Sequence, residues 1–238
     1  MPLPQQIIAP ARNRLLAALP REEYERLRPH LSRVPLPKGK IVYEAGDSVR
    51  HSYFLTSGML SLLSSARDGS TVEVALVGVE GMAGLPAVLR VERSPYRVMA
   101  QIRGEALRVA SRRTREAFDD SPVLRDLLLR YAHSLLTQVS QSALCNRFHT
   151  VDERLCRWLL VTRDRAGSDS FELTQEFLSH MLGAPRTSVT TAAASLRRAG
   201  LIRYSRGRIT VTDPEGLEAA SCECYQMVKQ IADKFMAA

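Results

Sequence analysis

Long apolar runs are missing from this 238-residue chain, and no stretch approaches the ~18–20 apolar residues that a membrane-spanning helix needs. The N-terminal segment, MPLPQQIIAPARNRLLAALPREE, lacks the charged-then-apolar order and the cleavage site of a signal peptide. Both absences predict a cytoplasmic protein with no membrane partner.

Cysteine is scarce, and the four residues are Cys145, Cys156, Cys222 and Cys224. Without an export signal they do not predict a disulfide framework. Cys222 and Cys224 are predicted to lie in one C-terminal helix opened by Asp213-Pro214, where residues two apart diverge by about 200° around the axis. The five histidines show no ligand spacing either, so we predict no metal site. We expect Cys224 to pack in the core, and a redox-responsive regulator acting through Cys222 is the alternative.

Catalytic signatures are absent as well. The sequence has no nucleophile elbow, phosphate-binding loop, HExxH motif or paired-carboxylate constellation, so an enzyme is not expected. Its 45% hydrophobic and 24% charged residues are ordinary for a globular protein. The length allows one large domain or two modest ones.

Acidic residues are nearly missing from one basic region. Between Thr174 and Thr212 six arginines face a single acid, Glu176, and the whole chain carries a net charge of +8. Such a stripe indicates a polyanionic partner, because arginines neutralise phosphates and release counterions. A solvated basic face is the alternative when charge is taken alone, but the helix pattern of this region favours DNA.

That pattern is a pair of short helices followed by a hairpin. The segment LTQEFLSHMLG predicts a helix stopped by Gly183, and GAPRTSVTTAAASLRRAGLI predicts a second helix over residues 185–199 after a tight turn. This is the helix-turn-helix arrangement, whose second helix enters the major groove of double-stranded DNA. The segment IRYSRGRITVT predicts a β-hairpin wing.

The outward face of the second helix carries arginines and short hydroxyls. Arg186, in its first turn, is expected to reach guanine O6 and N7, and the wing arginines are expected to contact phosphates. The predicted DNA-contacting residues are Thr174, His180, Arg186, Thr187, Ser188, Thr190, Thr191, Arg197, Arg206 and Arg208.

The remaining chain predicts a sheet followed by a long helix. Residues 36–110 contain short β-rich runs between turn residues, which indicate an antiparallel sandwich or barrel. Ser121-Pro122 starts a helix that meets no Gly or Pro before Phe148. Its heptad-like seam predicts a dimer interface at Leu124, Leu128, Tyr131, Leu135, Gln138 and Ser142. The alternative is that the seam packs on the chain's own barrel, a role we expect instead for a second stripe that includes Leu127 and Leu136.

From about residue 12 to 212 the chain resembles the CRP/FNR superfamily of bacterial transcription regulators. The resemblance rests on PKGKIVYEAGDSVRHSYFLTSGMLSLLSS, GVEGMAGLPAVLRVERS and LTQEFLSHMLGAPRTSVTTAAASLRRAGLI, in this order. It implies an α+β fold with a cyclic-nucleotide-binding-like jelly roll (residues 1–110), a linker and long dimerisation helix (111–149) and a winged helix-turn-helix domain (150–238). It also implies a homodimer, a near-palindromic operator and contact with RNA polymerase.

The sequence departs from cyclic-AMP-responsive members of that family at the effector site. Ala83-Gly84 stands where they carry a Gly-Glu pair that holds the ribose, although the phosphate-binding Arg93-Ser94 is present. We therefore expect a small anionic effector that depends on Arg93, or no effector, and we do not expect cyclic AMP. A cyclic-AMP-dependent regulator with a rearranged pocket, in which Glu80 holds the ribose, is the alternative. The predicted pocket residues are Gly81, Met82, Ala83, Gly84, Leu85, Arg93, Ser94 and Ser140.

Two further departures concern DNA reading and oxygen sensing. The family's recognition pattern Arg-Glu-x-x-x-Arg becomes Arg186-Thr187-x-x-x-Thr191, so the operator should differ from that of the cyclic-AMP receptor. No cysteine precedes Cys145, which argues against the N-terminal iron–sulfur cluster of the family's oxygen sensors.

Overall fold

The structure, a computed structural model, describes residues 12–205 and 207–237, with side chains to residue 231. It has a β-rich N-terminal domain, a long helix and a helical C-terminal domain, as predicted. In the part of the chain that the structure describes, no helix is long and apolar enough to cross a membrane.

The N-terminal domain is an antiparallel sheet that folds over itself, with strand order β1-β6-β3-β4. Its strands are β1 (Ser32–Leu36), β2 (Ile41–Tyr43), β3 (His51–Ser65), β4 (Thr71–Val77), β5 (Met82–Ala83) and β6 (Arg97–Ala110). Bulges bend the long pair β3 and β6 around Gly58 and Gly104. A Cβ at Gly104 would lie 2.1 Å from the Ser57 carbonyl oxygen, so the close approach of the strands requires glycine there.

Two short helices, α1 (Arg14–Ala17) and α2 (Arg21–Leu27), pack on the outside of this sheet through buried leucines. Asn13 anchors them: its Oδ1 accepts from the Leu16 amide, and its amide nitrogen donates to the carbonyls of Leu55 (2.9 Å) and Gly81 (2.7 Å). Its side chain is fully buried, so these bonds satisfy groups that water cannot reach.

The chain then enters α3 (Ser111–Asp120) and the 27-residue α4 (Pro122–Phe148). Ser121 caps α4 by accepting from the Leu124 amide at 2.9 Å, and Pro122 occupies the first turn. The predicted start and end of α4 are therefore confirmed.

The orientation of α4 corrects the predicted dimer seam. Leu124, Leu128 and Tyr131 are buried against the chain's own N-terminal domain, and the Tyr131 hydroxyl donates to the Met82 carbonyl at 2.9 Å. Leu135 packs partly in the same core, Gln138 Oε1 accepts from the Leu76 amide, and Ser142 is buried. The alternative of packing on the chain's own barrel is thus the correct one for Leu124, Leu128 and Tyr131, whereas Leu135 and Gln138 are only half-buried. Leu136, which was expected to pack inward, is instead 65% exposed.

The C-terminal domain begins with a capping box of Thr150 and Glu153, which the Thr-x-x-Glu spacing of residues 150–153 predicts. Its elements are α5 (Val151–Ala166), β7 (Ser170–Glu172), α6 (Gln175–Leu182), α7 (Arg186–Arg198), β8 (Ile202–Ser205), β9 (Arg208–Val211), α8 (Pro214–Ala219) and α9 (Cys224–Ala237). The hairpin β8–β9 is the predicted wing. Strand β7 was not predicted; it pairs with β9 and makes a three-stranded sheet.

The C-terminal cysteines do not share one helix. Helix α8 ends at Ala219, Cys222 lies in the turn that follows, and α9 starts at Cys224. The prediction that the two side chains diverge around a helix axis is therefore wrong, because that axis is broken between them.

Candidate DNA interface and effector pocket

The turn between α6 and α7 has a fixed geometry. Thr174 caps α6 by accepting from the Phe177 amide at 3.1 Å, and Gly183 ends it in a left-handed conformation with φ of 55°. A Cβ at Gly183 would lie 2.9 Å from Cγ2 of Val72, so the glycine also permits close packing of α6 on β4. The turn thereby sets the angle at which α7 leaves α6.

Helix α7 is divided cleanly between a buried and an exposed face. Val189, Ala192, Ala193 and Leu196 are buried in the core of the domain. The predicted DNA-contacting residues Arg186, Thr187, Thr190, Thr191 and Arg197 are exposed, and Ser188 is half-buried. The structure therefore brings the predicted α7 residues together on one face that carries no carboxylate.

Hydrogen bonds hold the threonines of this face in place. Thr190 Oγ1 lies 2.8 Å from the Arg186 carbonyl oxygen and 2.9 Å from Oε1 of Gln175, and Thr191 Oγ1 donates to the Thr187 carbonyl at 3.1 Å. Both threonines are exposed, so each can still offer a methyl group and a hydroxyl lone pair to a partner. Gln175 is not among the predicted DNA-contacting residues. Its position at the start of α6 is the only feature of the sequence that indicates a role at this face.

The other predicted DNA contacts lie in different surroundings. In the wing, Arg208 Nη2 donates to Glu172 Oε1 at 2.9 Å, an exposed ion pair with a carboxylate just outside the basic region. Arg206 lies outside the described residues. His180 Nδ1 lies 3.2 Å from Thr71 Oγ1 of β4, so His180 sits at the junction between the two domains rather than on the α7 face.

A cavity of about 440 Å³ lies between the jelly roll and α4. The predicted residues Met82, Ala83, Gly84, Leu85 and Ser94 line it, opposite side chains of α4. The α4 side chains are Ala132, His133, Leu135, Leu136 and Val139. The lining is mainly aliphatic, and its few polar side chains include Tyr43, Ser94 and His133. The cavity therefore suits an apolar ligand better than an anion.

Three predicted pocket residues lie elsewhere. Arg93 Nη1 donates to the Gly46 carbonyl at 2.6 Å and lines a separate open groove of about 490 Å³ with Arg50 and His51. Gly81 packs under the Tyr131 ring, and the exposed Ser140 Oγ donates to the Leu136 carbonyl. The structure therefore does not bring Arg93 into this cavity, and an anionic effector that depends on Arg93 stays a prediction without support from the cavity lining.

The side chain of Glu80 forms an ion pair with the C-terminal domain. Its Oε1 accepts from Arg165 Nε at 2.8 Å and from the Gly78 amide at 3.1 Å, and its side chain is 12% exposed. An ion pair this buried is costly to break, because the remaining charge would be left uncompensated. The alternative in which Glu80 holds a ribose therefore does not fit this geometry.

Comparison with known proteins gives the class of the chain. Residues 33–121 match the family model of the cyclic nucleotide-binding domain, and residues 153–220 match that of the Crp-like helix-turn-helix domain. The two matched regions lie before and after α4, in the same order as the two domains of the fold. The chain is a DNA-binding transcription regulator and not an enzyme, and it belongs to the CRP/FNR family.

Individual relatives agree with this assignment. The global nitrogen regulator of Synechococcus elongatus is 24% identical over 76% of this chain and 85% of its own length. The CRP-like cAMP-activated global transcriptional regulator of Mycobacterium tuberculosis is 26% identical over 79% of this chain and 87% of its own. A crystal structure of a putative CRP/FNR regulator from Eubacterium rectale has the same fold, with a TM-score of 0.70, 18% identity and coverage of 87% and 96%.

Proposed function

We propose that the chain is a homodimeric regulator that binds a near-palindromic operator through α7 and responds to a small, largely apolar effector. The observation that carries this proposal is the exposed face of α7, where Arg186 and a row of hydroxyls stand without any carboxylate. Carboxylates there would repel the phosphates of the duplex.

The exposed side of α4 supports a dimer. Leu129, Leu136, Leu144 and Phe148 recur at spacings of seven, eight and four along a helix about 40 Å long, and each is 41–73% exposed. A second copy of α4 covers such a stripe through a two-fold contact in which the same residues meet. Two α7 helices related by that axis require an operator with matching symmetry.

The recognition residues predict an operator sequence that differs from that of the cyclic-AMP receptor. The exposure of Arg186 in the first turn of α7 supports a contact with guanine, while Thr187 and Thr191 offer methyl groups and hydroxyls where the family's known pattern has Glu and Arg. Contact with RNA polymerase follows from the family resemblance.

The cavity beside α4 gives the proposed effector its site. A ligand there touches Leu135 and Leu136 of α4 as well as Met82 of the jelly roll, so its binding bears directly on the dimer helix. The relative from Mycobacterium tuberculosis is cAMP-activated by its name. We do not extend that effector to this chain, because Ala83-Gly84 offers no carboxylate and Arg93 faces another groove.

Selection of binding sites from random duplex DNA with the purified protein tests the proposal. We expect an inverted repeat, bound with a steep loss of affinity between two salt concentrations because several phosphates are neutralised. Enrichment of a single, non-repeated half-site would contradict the dimer, and binding without sequence preference at every salt concentration would contradict operator reading.

A further inference from the structure

Four metal-ligand side chains converge where α4 ends. Cys145 and His149 come from the last turn and cap of α4, Cys222 comes from the turn between α8 and α9, and Cys224 is the first residue of α9. Their donor atoms all lie within 4.8 Å of one another. Cys145 Sγ is 3.6 Å from Cys222 Sγ, and Cys224 Sγ is 3.4 Å from His149 Nδ1.

The Cys145–Cys222 and His149–Cys224 separations are close to the edges of a tetrahedral metal site. With metal–sulfur and metal–nitrogen distances of about 2.3 and 2.0 Å, two ligands of a tetrahedral zinc ion lie about 3.5–3.8 Å apart. We propose that Cys145, His149, Cys222 and Cys224 bind one thiophilic divalent metal ion, with zinc the best match to three sulfurs and one imidazole. The three cysteines are buried, and the His149 side chain is 13% exposed, so the ion is shielded from water.

The surroundings of the cluster supply the outer contacts that a metal site needs. His149 Nε2 lies 3.3 Å from a carboxylate oxygen of Glu223, which leaves Nδ1 as the ligand atom. A carboxylate on the second ring nitrogen orients and strengthens a metal-bound histidine. The Gln141 amide nitrogen donates to Cys224 Sγ at 2.9 Å, a contact that stabilises a thiolate.

Positive charge is available to balance the loaded site. Three thiolates and a divalent ion carry a net charge of −1, and the guanidinium of Arg154 interacts electrostatically with the sulfurs of Cys145 and Cys222. Burial lowers the pKa of Arg154, and the sulfurs of Cys145 and Cys222 oppose that shift. Arg154 is 7% exposed, and within the described residues its Nε has no hydrogen-bond partner.

The short distances within the cluster favour a single metal ion over an iron–sulfur cluster or a disulfide. An iron–sulfur cluster distributes its ligands over different irons, which holds them further apart than a mononuclear site does. A disulfide between Cys145 and Cys222 would need the sulfurs to approach to about 2.05 Å and would leave His149 without a role. All four cysteines of the chain are free thiols in the structure.

The position of the site gives it a consequence for DNA binding. His149 caps α4, and the next residue, Thr150, caps α5, so the cluster surrounds the hinge between the dimer helix and the DNA-binding domain. An ion held there ties that hinge to the C-terminal segment through Cys222 and Cys224. The inference does not depend on the operator or on the effector proposed above.

Metal analysis of the full-length protein, purified without chelator from zinc-replete medium, tests the proposal. We expect stoichiometric zinc in the wild type and its loss in Cys222→Ser and His149→Asn. Cys156→Ser is the matched control, because Cys156 is a buried cysteine outside the cluster, and it should retain the metal. Cobalt replacement should give the thiolate charge-transfer absorption and intense visible bands of a tetrahedral site.

A milder variant keeps the test informative if ligand variants fail to fold. Glu223→Gln, on the exposed side of His149, should lower zinc affinity about 10–100-fold in competition with a chromogenic chelator. Wild-type protein that binds neither zinc nor cobalt would overturn the proposal. So would metal content that is equal in Cys222→Ser and wild type, or mass spectrometry that finds Cys145 and Cys222 joined by a disulfide in protein purified under argon.

Discussion

The indole nitrogen of Trp158 on α5 donates a 2.8 Å hydrogen bond to Oε1 of Glu73, a buried carboxyl group on β4. The bond joins the DNA-binding domain to the jelly roll at a point that water does not reach. Burial raises the pKa of Glu73 to about 7, although hydrogen bonds from Ser61 and Trp158 and the charges of Arg157 and Arg165 act in the opposite direction. This contact between the domains therefore titrates near neutral pH.

Replacing Glu73 by Gln should flatten the pH dependence of stability. Because the carboxyl is easier to protonate in the folded state than in the unfolded state, its contribution is complete below about pH 4.5 and is lost as pH rises through about 7. The free energy of unfolding of the wild type should thus fall relative to Glu73→Gln over this window, by on the order of 3 kcal/mol at most. Urea denaturation at a series of pH values measures the difference.

The control for this experiment is Glu176→Gln, an exposed carboxylate on α6. The free energy of unfolding of that variant should vary with pH in the same way as that of the wild type. If the free energy of unfolding of Glu73→Gln changed with pH in parallel with that of the wild type, Glu73 would have the same pKa in the folded and unfolded states, and the prediction would be wrong.

Local signals in the sequence predicted much of this molecule. The capping box at Thr150, the Ser121-Pro122 helix start and the Gly183 stop each depend on residues within one turn, and each lies where predicted. The two faces of α7 also follow from spacing within a single helix. Such features need no knowledge of what packs against them.

Features that depend on distant contacts were not predictable in this way. Spacing identified a buried face on α4, but it could not say whether a partner or the chain's own sheet covers Leu128. The cluster of Cys145 and Cys222 joins residues 77 apart through a turn that interrupts the expected helix. Arg93 follows the family motif in sequence, yet its guanidinium turns to the Gly46 carbonyl.

Charge on the exposed stripe of α4 should separate the protomers. Leu129→Asp combined with Leu136→Asp places carboxylates where we propose that two copies meet, so sedimentation velocity should report a folded monomer with weakened operator binding. Ile41→Asp, an exposed apolar residue of β2, is the control and should remain dimeric. By contrast, Leu128→Asp should unfold the domain, because Leu128 is fully buried within its own chain. If the double variant remained dimeric, the exposed stripe of α4 would not be the dimer interface.

Arg186 and Arg208 should contribute to DNA binding in different ways. Arg186→Ala should cost ~1–3 kcal/mol on the selected operator and relax the preference at one base pair of each half-site. Arg208→Ala should weaken binding to all sequences alike and reduce the salt dependence, because a wing arginine contacts phosphate. Arg33→Ala, exposed on β1, is the control for overall charge. Changed base preference in Arg208→Ala would reverse the assignment of roles.

A ligand of the cavity should depend on its shape and not on Arg93. Thermal-shift screening of small molecules should find stabilising compounds that are largely apolar, since a ligand stabilises the fold in proportion to RT ln(1 + [L]/Kd). Ala132→Phe fills the space between α4 and the jelly roll and should abolish the shift, whereas Arg93→Ala should leave it unchanged because Arg93 lines the separate groove. Cyclic AMP should give no heat of binding in calorimetry. Micromolar binding of cyclic AMP that is lost in Arg93→Ala would show instead that the groove, and not the cavity, receives the effector.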